Sequence, residues 1–500
     1  MKLLFILSPL VMLALGALGL MLVDAFARPR HEAGGRSTEL GLGTAVVLVA
    51  SAVSSLAVWL VDPAGSAEAA RLAPYLLIDR YSLFFCLVLG LGGALVALLA
   101  EGYFEEHQLD RTEFFPLLLW STGGAMALSA AGDLVSVLVT LETMSLGTYA
   151  MVALRRTPRS LEAALKYFLL GSFATAVLLF GGALLYAATG HTDLGGIGQA
   201  LRAMGVRGDP APESGLVLLG MALVLGGLGF KVAAVPFHMW VPDAYEGAPT
   251  PTTTFMALGV KTAAFALLMR VVLVVFGTPA LGSWGSGWPP VLAVLAVFTM
   301  TVPNLVAGRQ ESVKRMLAYS SIAHAGYALI GVVAALRSTD ATPSVLYYLL
   351  AYAVATAGAF GALILTGRRG AEATSYEDLA GLGRRHPAVA LGFSVCLLSL
   401  AGVPPTVGFL GKLGIFRVAF DAELYALALI GLANTVLAAY YYLRVIVYLF
   451  MREPVPGAPA AEPMRSGFVR AAVLLAALGV VVLGLSATPL EAVTASALLP

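Results

Sequence analysis

The chain is 500 residues long, 59% hydrophobic and only 12% charged, with a formal net charge of +1. A soluble domain carries about 25% charged residues, so a soluble enzyme is excluded, and the near-zero charge offers nothing to a nucleic acid. Apolar runs of about 20 residues recur along the whole length, the span of a helix crossing a bilayer, and the short alternating segments of a β-barrel are missing. The expectation is an all-α integral membrane protein.

In chain order, residues 1–23 form a first span. Lys2 followed by an apolar run imitates a signal peptide, but the run is too long and has no small-residue cleavage site. Spans follow near 39–61, 75–100, 113–131, 132–153 and 161–188. A Gly/Pro loop covers 190–214, and further spans lie near 215–237, 252–276, 289–307, 312–336 and 343–366. A polar linker at 367–386 includes Tyr376-Glu377-Asp378-Leu379, which reads as a short surface helix. Long segments at 387–420 and 424–450, a Pro/Ala loop at 453–464 and a last span at 468–487 complete the chain. The total is about fourteen transmembrane helices. The basic residues concentrate in the odd loops, which carry Arg28, Arg30, Arg36, Arg155, Arg156, Arg159, Arg368 and Arg369 among others. Lys314 and Arg315 are counted there too. The even loops hold few, among them Arg270, Arg337 and Arg417. The odd loops are therefore expected inside and both termini outside.

Two spans are interrupted, the seventh near Pro236 and the twelfth near Gly402-Val403-Pro404-Pro405. Each break lies within a few residues of a lysine, Lys231 or Lys412. Paired broken helices in matching positions mark the transport site of inverted-repeat transporters. The two halves would be spans 4–8 and 9–13, giving an N-terminal unit at 1–110, repeats at 111–280 and 281–452, and a C-terminal helix at 453–500.

Cations other than six lysines are all arginine. Arginine stays charged, whereas lysine changes its protonation when buried. A charge in hydrocarbon costs roughly 2.5–3.5 kcal/mol on insertion scales, so Lys231, Lys261 and Lys412 within apolar segments are candidate proton carriers. Lys261 is about 14 Å along its span at 1.5 Å per residue, too deep to reach the interface easily. Glu142, near the middle of the fifth span, is the candidate acidic partner of Lys231. Lys166, close to Arg159 and Glu162, reads either as a relay group or as an interfacial anchor. His238 and His324 suit a relay or hydrogen-bonded packing. Asp243 and Glu246 read as groups that fix the proline-rich loop, with a proton entrance as the other option. Tyr319, Ser320 and Ser321 supply hydroxyls between ionisable groups. Cys86 and Cys396 have no metal-ligand spacing and read as core residues. No nucleophile triad or phosphate loop appears, and the glycine pairs lack a strand–turn–helix context.

Five stretches carry a resemblance. GFKVAAVPFHMWVPDAYEGAPTPTTTFMALGVK, LETMSLGTYAMVAL, ALKYFLLGSFATA, VKRMLAYSSIAHAGY and GVPPTVGFLGKLGIF resemble the antiporter-like membrane subunits of respiratory complex I, NADH–quinone oxidoreductase. Related antiporter-type subunits usually have glutamate where this chain has Lys412. The resemblance implies fourteen helices with two inverted five-helix repeats, in a bacterial inner membrane. It implies proton translocation through Glu142, Lys231, Lys261 and Lys412, with Lys166 matching the lysine of the KYF stretch. The chain itself would bind no cofactor. NADH, FMN, iron–sulfur clusters and a quinone would belong to partner subunits of the complex. The alternatives are an Mrp-type cation/proton antiporter subunit and a membrane subunit of a hydrogenase-type or ferredoxin-dependent complex.

Overall fold

A computed structural model describes residues 2–26, 35–62, 66–109, 111–207, 213–285, 287–367, 370–454 and 461–499. Arg28, Arg30, Arg368 and Arg369, which bear on the orientation, lie outside them. Among the described residues the chain is helical and has no extended strand. Among the described residues eleven helices are long and apolar enough to cross a membrane. Three shorter apolar ones, Phe114–Ser129, Gly215–Lys231 and Pro387–Ala401, run among them. The protein is a multi-pass membrane protein.

Local chemistry sets the helix ends. Asp133 accepts from the Val135 amide, and Ser136 returns a bond to the Asp133 amide, so Leu134–Ala153 begins with a capping box. Thr157 caps Pro158–Thr189, with Pro158 at the first helical position, and Gly190 ends that helix in the left-handed conformation. The region 190–214, expected as a loop, contains an amphipathic helix, Leu194–Arg207. Its Gly/Arg-rich composition hid a period that becomes evident once Ile197 and Leu201 are seen buried. Tyr376–Leu379 forms the expected short helix, capped by Ser375.

Burial ranks the helices. Val313–Ala334 is 94% buried over its apolar window, whereas Ser8–Phe26 is only 17% buried and lies at the periphery. Thr250–Val275 and Ala341–Leu365 share the centre with Val313–Ala334. In lipid the helix contacts cannot rely on a hydrophobic drive, so small residues and polar bonds set the packing. Gly124 shows this: a Cβ there would lie 2.5 Å from the Met144 amide of the next helix.

Two ion-pair clusters sit at opposite ends of the helix Arg80–Glu106, one at Asp79 before its start and one at Glu372, which meets Tyr103 near its end together with Arg155 and Lys314. At its start, Arg270 forks onto Asp79 at 3.0 and 3.1 Å and donates to the Ser129 carbonyl at 3.2 Å. Arg270, counted above as a loop cation, is in fact fully buried at the end of Lys261–Arg270. Lys314 is likewise a buried residue of the first turn of its helix rather than a loop residue. Hydropathy cannot separate a loop charge from a buried charge with a distant partner.

Candidate functional site: two broken helices and a buried polar line

The first interrupted helix ends at Lys231 itself and resumes at Trp240, so the break begins before Pro236. Its freed backbone groups are taken by uncharged side chains. The Trp240 indole donates to the Phe230 carbonyl at 3.2 Å, and Thr299 accepts from the Val235 amide at 2.9 Å. Lys231, 3% exposed, turns instead to the helix Leu134–Ala153. It donates to Ser145 Oγ at 3.0 Å and to the Tyr149 hydroxyl at 3.4 Å. Glu142 lies one turn before Ser145 on that helix. Glu142, the expected acidic partner, makes no direct ion pair with Lys231 among the described residues but lies close enough to act on it electrostatically, and its Oε1 is buried with no hydrogen-bond partner. The two hydroxyls make the direct contacts with Lys231, one and two turns along the helix from Glu142.

The second interrupted helix runs Pro387–Ala401, then resumes at Val407–Asp421. Here the lysine closes the break. Lys412 Nζ donates to the Leu400 and Ala401 carbonyls at 2.9 and 3.0 Å, at the negative end of the first half-helix. Gly402 is required on two counts: its φ is +88°, and a Cβ there would lie 2.8 Å from Lys412 Cδ.

Between the breaks runs a line of buried polar groups. Lys261 follows a π-helical turn, Met256–Val260, a feature frequent at functional sites. Its Nζ donates to the Ser321 carbonyl and hydroxyl and lies 5.7 Å from the Tyr352 ring centre. Tyr352 also packs on His324 at 4.9 Å. His324 Nδ1 meets the Tyr348 hydroxyl at 2.6 Å, and Nε2 meets that of Tyr442 at 3.1 Å, which also bonds Ser320. Tyr327 lies edge-on to His324 at 5.9 Å and offers its ring face to Lys412 Nζ at 4.9 Å. A cavity of about 10 Å³ beside His324, Tyr348, Tyr352 and Ser399 has roughly the room one water needs. No carboxylate pairs with Lys261 or Lys412 among the described residues.

The other expected groups lie elsewhere. Lys166 is 45% exposed and bonds Glu162 at 2.7 Å and Asp243 at 3.0 Å, so it is an outer anchor, apart from the buried line. Asp243 also binds Arg315 at 3.0 Å, and Glu246 binds Ser312 at 3.0 Å, which pins the resumed helix to its neighbours. His238 is half-buried in the first break, and its Nδ1 has no hydrogen-bond partner. It reaches none of the lysines.

Sequence reasoning missed Glu372. This linker carboxylate binds Lys314 at 3.1 Å and Arg155 at 2.9 Å, and accepts from Tyr103 at 2.8 Å and from Thr250 Oγ1 at 2.5 Å and its amide at 3.2 Å. Burial by itself raises its pKa, but Lys314 and Arg155 outweigh that and hold it at about 2. Its partners are 58 to 269 residues away in sequence, so no local pattern announces it.

The family described as NADH:quinone oxidoreductase/Mrp antiporter, TM, matches residues 131–438. The chain is 63% identical over 484 residues to NADH-quinone oxidoreductase subunit N 1 of Sorangium cellulosum, covering 96% of this chain and 95% of that relative. It is 41% identical over 448 residues to subunit N of Myxococcus xanthus, covering 83% of each. Among solved structures, a chain of respiratory complex I from Thermus thermophilus with bound aureothin superposes with a TM-score of 0.78 at 35% identity, covering 97% of this chain and 99% of that one. A chain of the Mrp complex from Dietzia superposes at 0.83 with 24% identity, covering 98% and 96%, and shows the shared fold alone. The chain belongs to the NADH:quinone oxidoreductase/Mrp antiporter membrane family, on its subunit N branch.

Proposed function

We propose that this chain is a proton-translocating membrane subunit of an NADH–quinone oxidoreductase, working beside other membrane and peripheral subunits in a bacterial inner membrane. It would contribute no redox chemistry of its own. Electron transfer to quinone elsewhere in the complex would drive proton movement here. The three shorter apolar helices would complete fourteen spans in two inverted repeats, with both termini on the outer side. The observation that carries the reading is the buried line from Lys261 through Ser321, Tyr352 and His324 to Tyr327 and Lys412. Hydrogen bonds join Lys261 to Ser321 and His324 to Tyr348 and Tyr442. Ring contacts bridge the line at Tyr352 and Tyr327, whose hydroxyls are buried without a hydrogen-bond partner. Among the described residues neither lysine has a counter-ion that would fix its proton in place.

Lys231 would load from the side of Glu142 by way of Ser145 and Tyr149, whose hydroxyls can pass a proton in either direction. Lys412, held by two carbonyls at a helix end, would be the last carrier of the line. The test is Lys261→Arg, which keeps the charge but removes the ability to release a proton. In inverted vesicles with the complex assembled, NADH-driven acidification should fall by at least about tenfold, a barrier change of ~1.4 kcal/mol. Undiminished acidification by an assembled complex would overturn the relay. Ion exchange by the chain without any redox partner would favour the antiporter reading instead.

A further inference from the structure

A cavity of about 480 Å³ opens between the helices Trp288–Ala307 and Tyr425–Phe450, within the usual size range of a ligand site. Its wall is apolar along the membrane, formed by Val294, Val297 and Phe298 on one helix and Leu427 and Ile430 on the other. At the end where both helices begin, four different side chains line it: Trp284, Tyr425, Arg337 and Glu423. Trp and Tyr at that height mark the membrane–water interface. The Arg337 guanidinium stacks on the Trp284 ring at 5.6 Å and donates to the Ala422 carbonyl at 3.3 Å. The adjacent Glu423 is held at a φ of 62°. Opposite charges thus line one mouth without an ion pair between them. The ion pairs nearby join Arg417 to Asp340 and Asp421 instead.

An acyl chain alone would need neither charge. An anionic headgroup would satisfy Arg337 but set a phosphate beside Glu423 with no return. We propose that this cavity binds a zwitterionic phospholipid of the phosphatidylethanolamine class. Its phosphate diester meets Arg337, its primary ammonium meets Glu423, and one acyl chain lies along Val294, Phe298 and Ile430. Guanidinium suits a phosphate because its donors form a fixed fork. The Glu423 carboxylate accepts from the ammonium, which carries three donors.

The test uses the full chain in its native membrane assembly, with a photoreactive benzoylphenylalanine in place of Phe298. The assembly is reconstituted in nanodiscs of equal phosphatidylethanolamine and phosphatidylglycerol. Mass spectrometry of the cross-linked peptide should show a phosphatidylethanolamine adduct as the main product. Glu423→Gln should cut the ratio of phosphatidylethanolamine to phosphatidylglycerol adducts by about fivefold, and Arg337→Gln should lower both adducts by a similar factor. Both side chains are at the surface, so the variants keep the helix packing. Equal adducts of the two lipids in the parent chain, a ratio untouched by Glu423→Gln, or an adduct to a polypeptide instead of a lipid would each overturn the proposal.

Discussion

The two broken helices solve one problem in opposite ways. An interruption at membrane depth leaves backbone donors and acceptors that lipid cannot satisfy. At the first break, neutral partners do this work: Trp240 for the Phe230 carbonyl and Thr299 for the Val235 amide. Lys231 is thereby left free to face another helix and its hydroxyls. At the second break the lysine is itself the partner, and Lys412 bridges the Leu400 and Ala401 carbonyls. One lysine is therefore placed beside a broken helix, and the other is built into it. A change in protonation should leave the first break intact and loosen the second, because a neutral amine donates weaker bonds to the same carbonyls.

The largest test of this contrast is Lys412→Met against Lys231→Met. Both should abolish acidification, but only the first should destabilise the chain. It leaves two buried carbonyls unsatisfied, at about 1–3 kcal/mol each, and thermal unfolding of the assembled complex measures the difference. Equal losses of stability would mean that Lys231 also supports its break. Next comes Glu372→Ala, which probes the seam joining the halves that contain the two breaks. It strips the buried Lys314 of its counter-ion, a loss of about 3–5 kcal/mol, visible as a lower unfolding temperature and less assembled complex. The pH dependence has a definite sign. The folded pKa of Glu372, about 2, lies below its ordinary value of 4.5. The stabilisation is therefore complete above pH 4.5 and lost as the pH falls from there toward 2. A seam equally stable across that window would show that the ion pairs contribute little.

A smaller effect is expected from Gly402→Ala, which places a Cβ at a left-handed position and against Lys412 Cδ. It should cost about 1–2 kcal/mol and reduce acidification, whereas Gly226→Ala before the first break, where a Cβ would meet only the Phe237 ring at 3.9 Å, should be nearly silent. Smallest is Thr299→Val, which removes the acceptor for the half-buried Val235 amide at no more than about 1 kcal/mol, the low end for a group that water reaches. It should lower stability while acidification persists, since Lys231 does not depend on that bond. Loss of pumping in Thr299→Val would merge the two breaks into one mechanism.

The sequence by itself determined the membrane class, most of the long apolar helices, both interruptions and the burial of Lys231, Lys261 and Lys412 within apolar segments. Each of these is a local property: apolar run length, proline and glycine in a span, or a charge within hydrophobic surroundings. It also marked Ser320, Ser321 and His324 as polar residues inside an apolar helix. Only the tertiary structure decided what each of these groups touches. It set Ser145 and Tyr149 in direct contact with Lys231, a turn or two along the helix from Glu142, because which side chains meet across two helices is invisible to hydropathy. It moved Lys166 to an outer ion network and made Glu372 the tie between Lys314, Arg155 and Thr250. Contacts between residues far apart in the chain arise from helix packing, and no residue in those stretches carries a record of its distant partner.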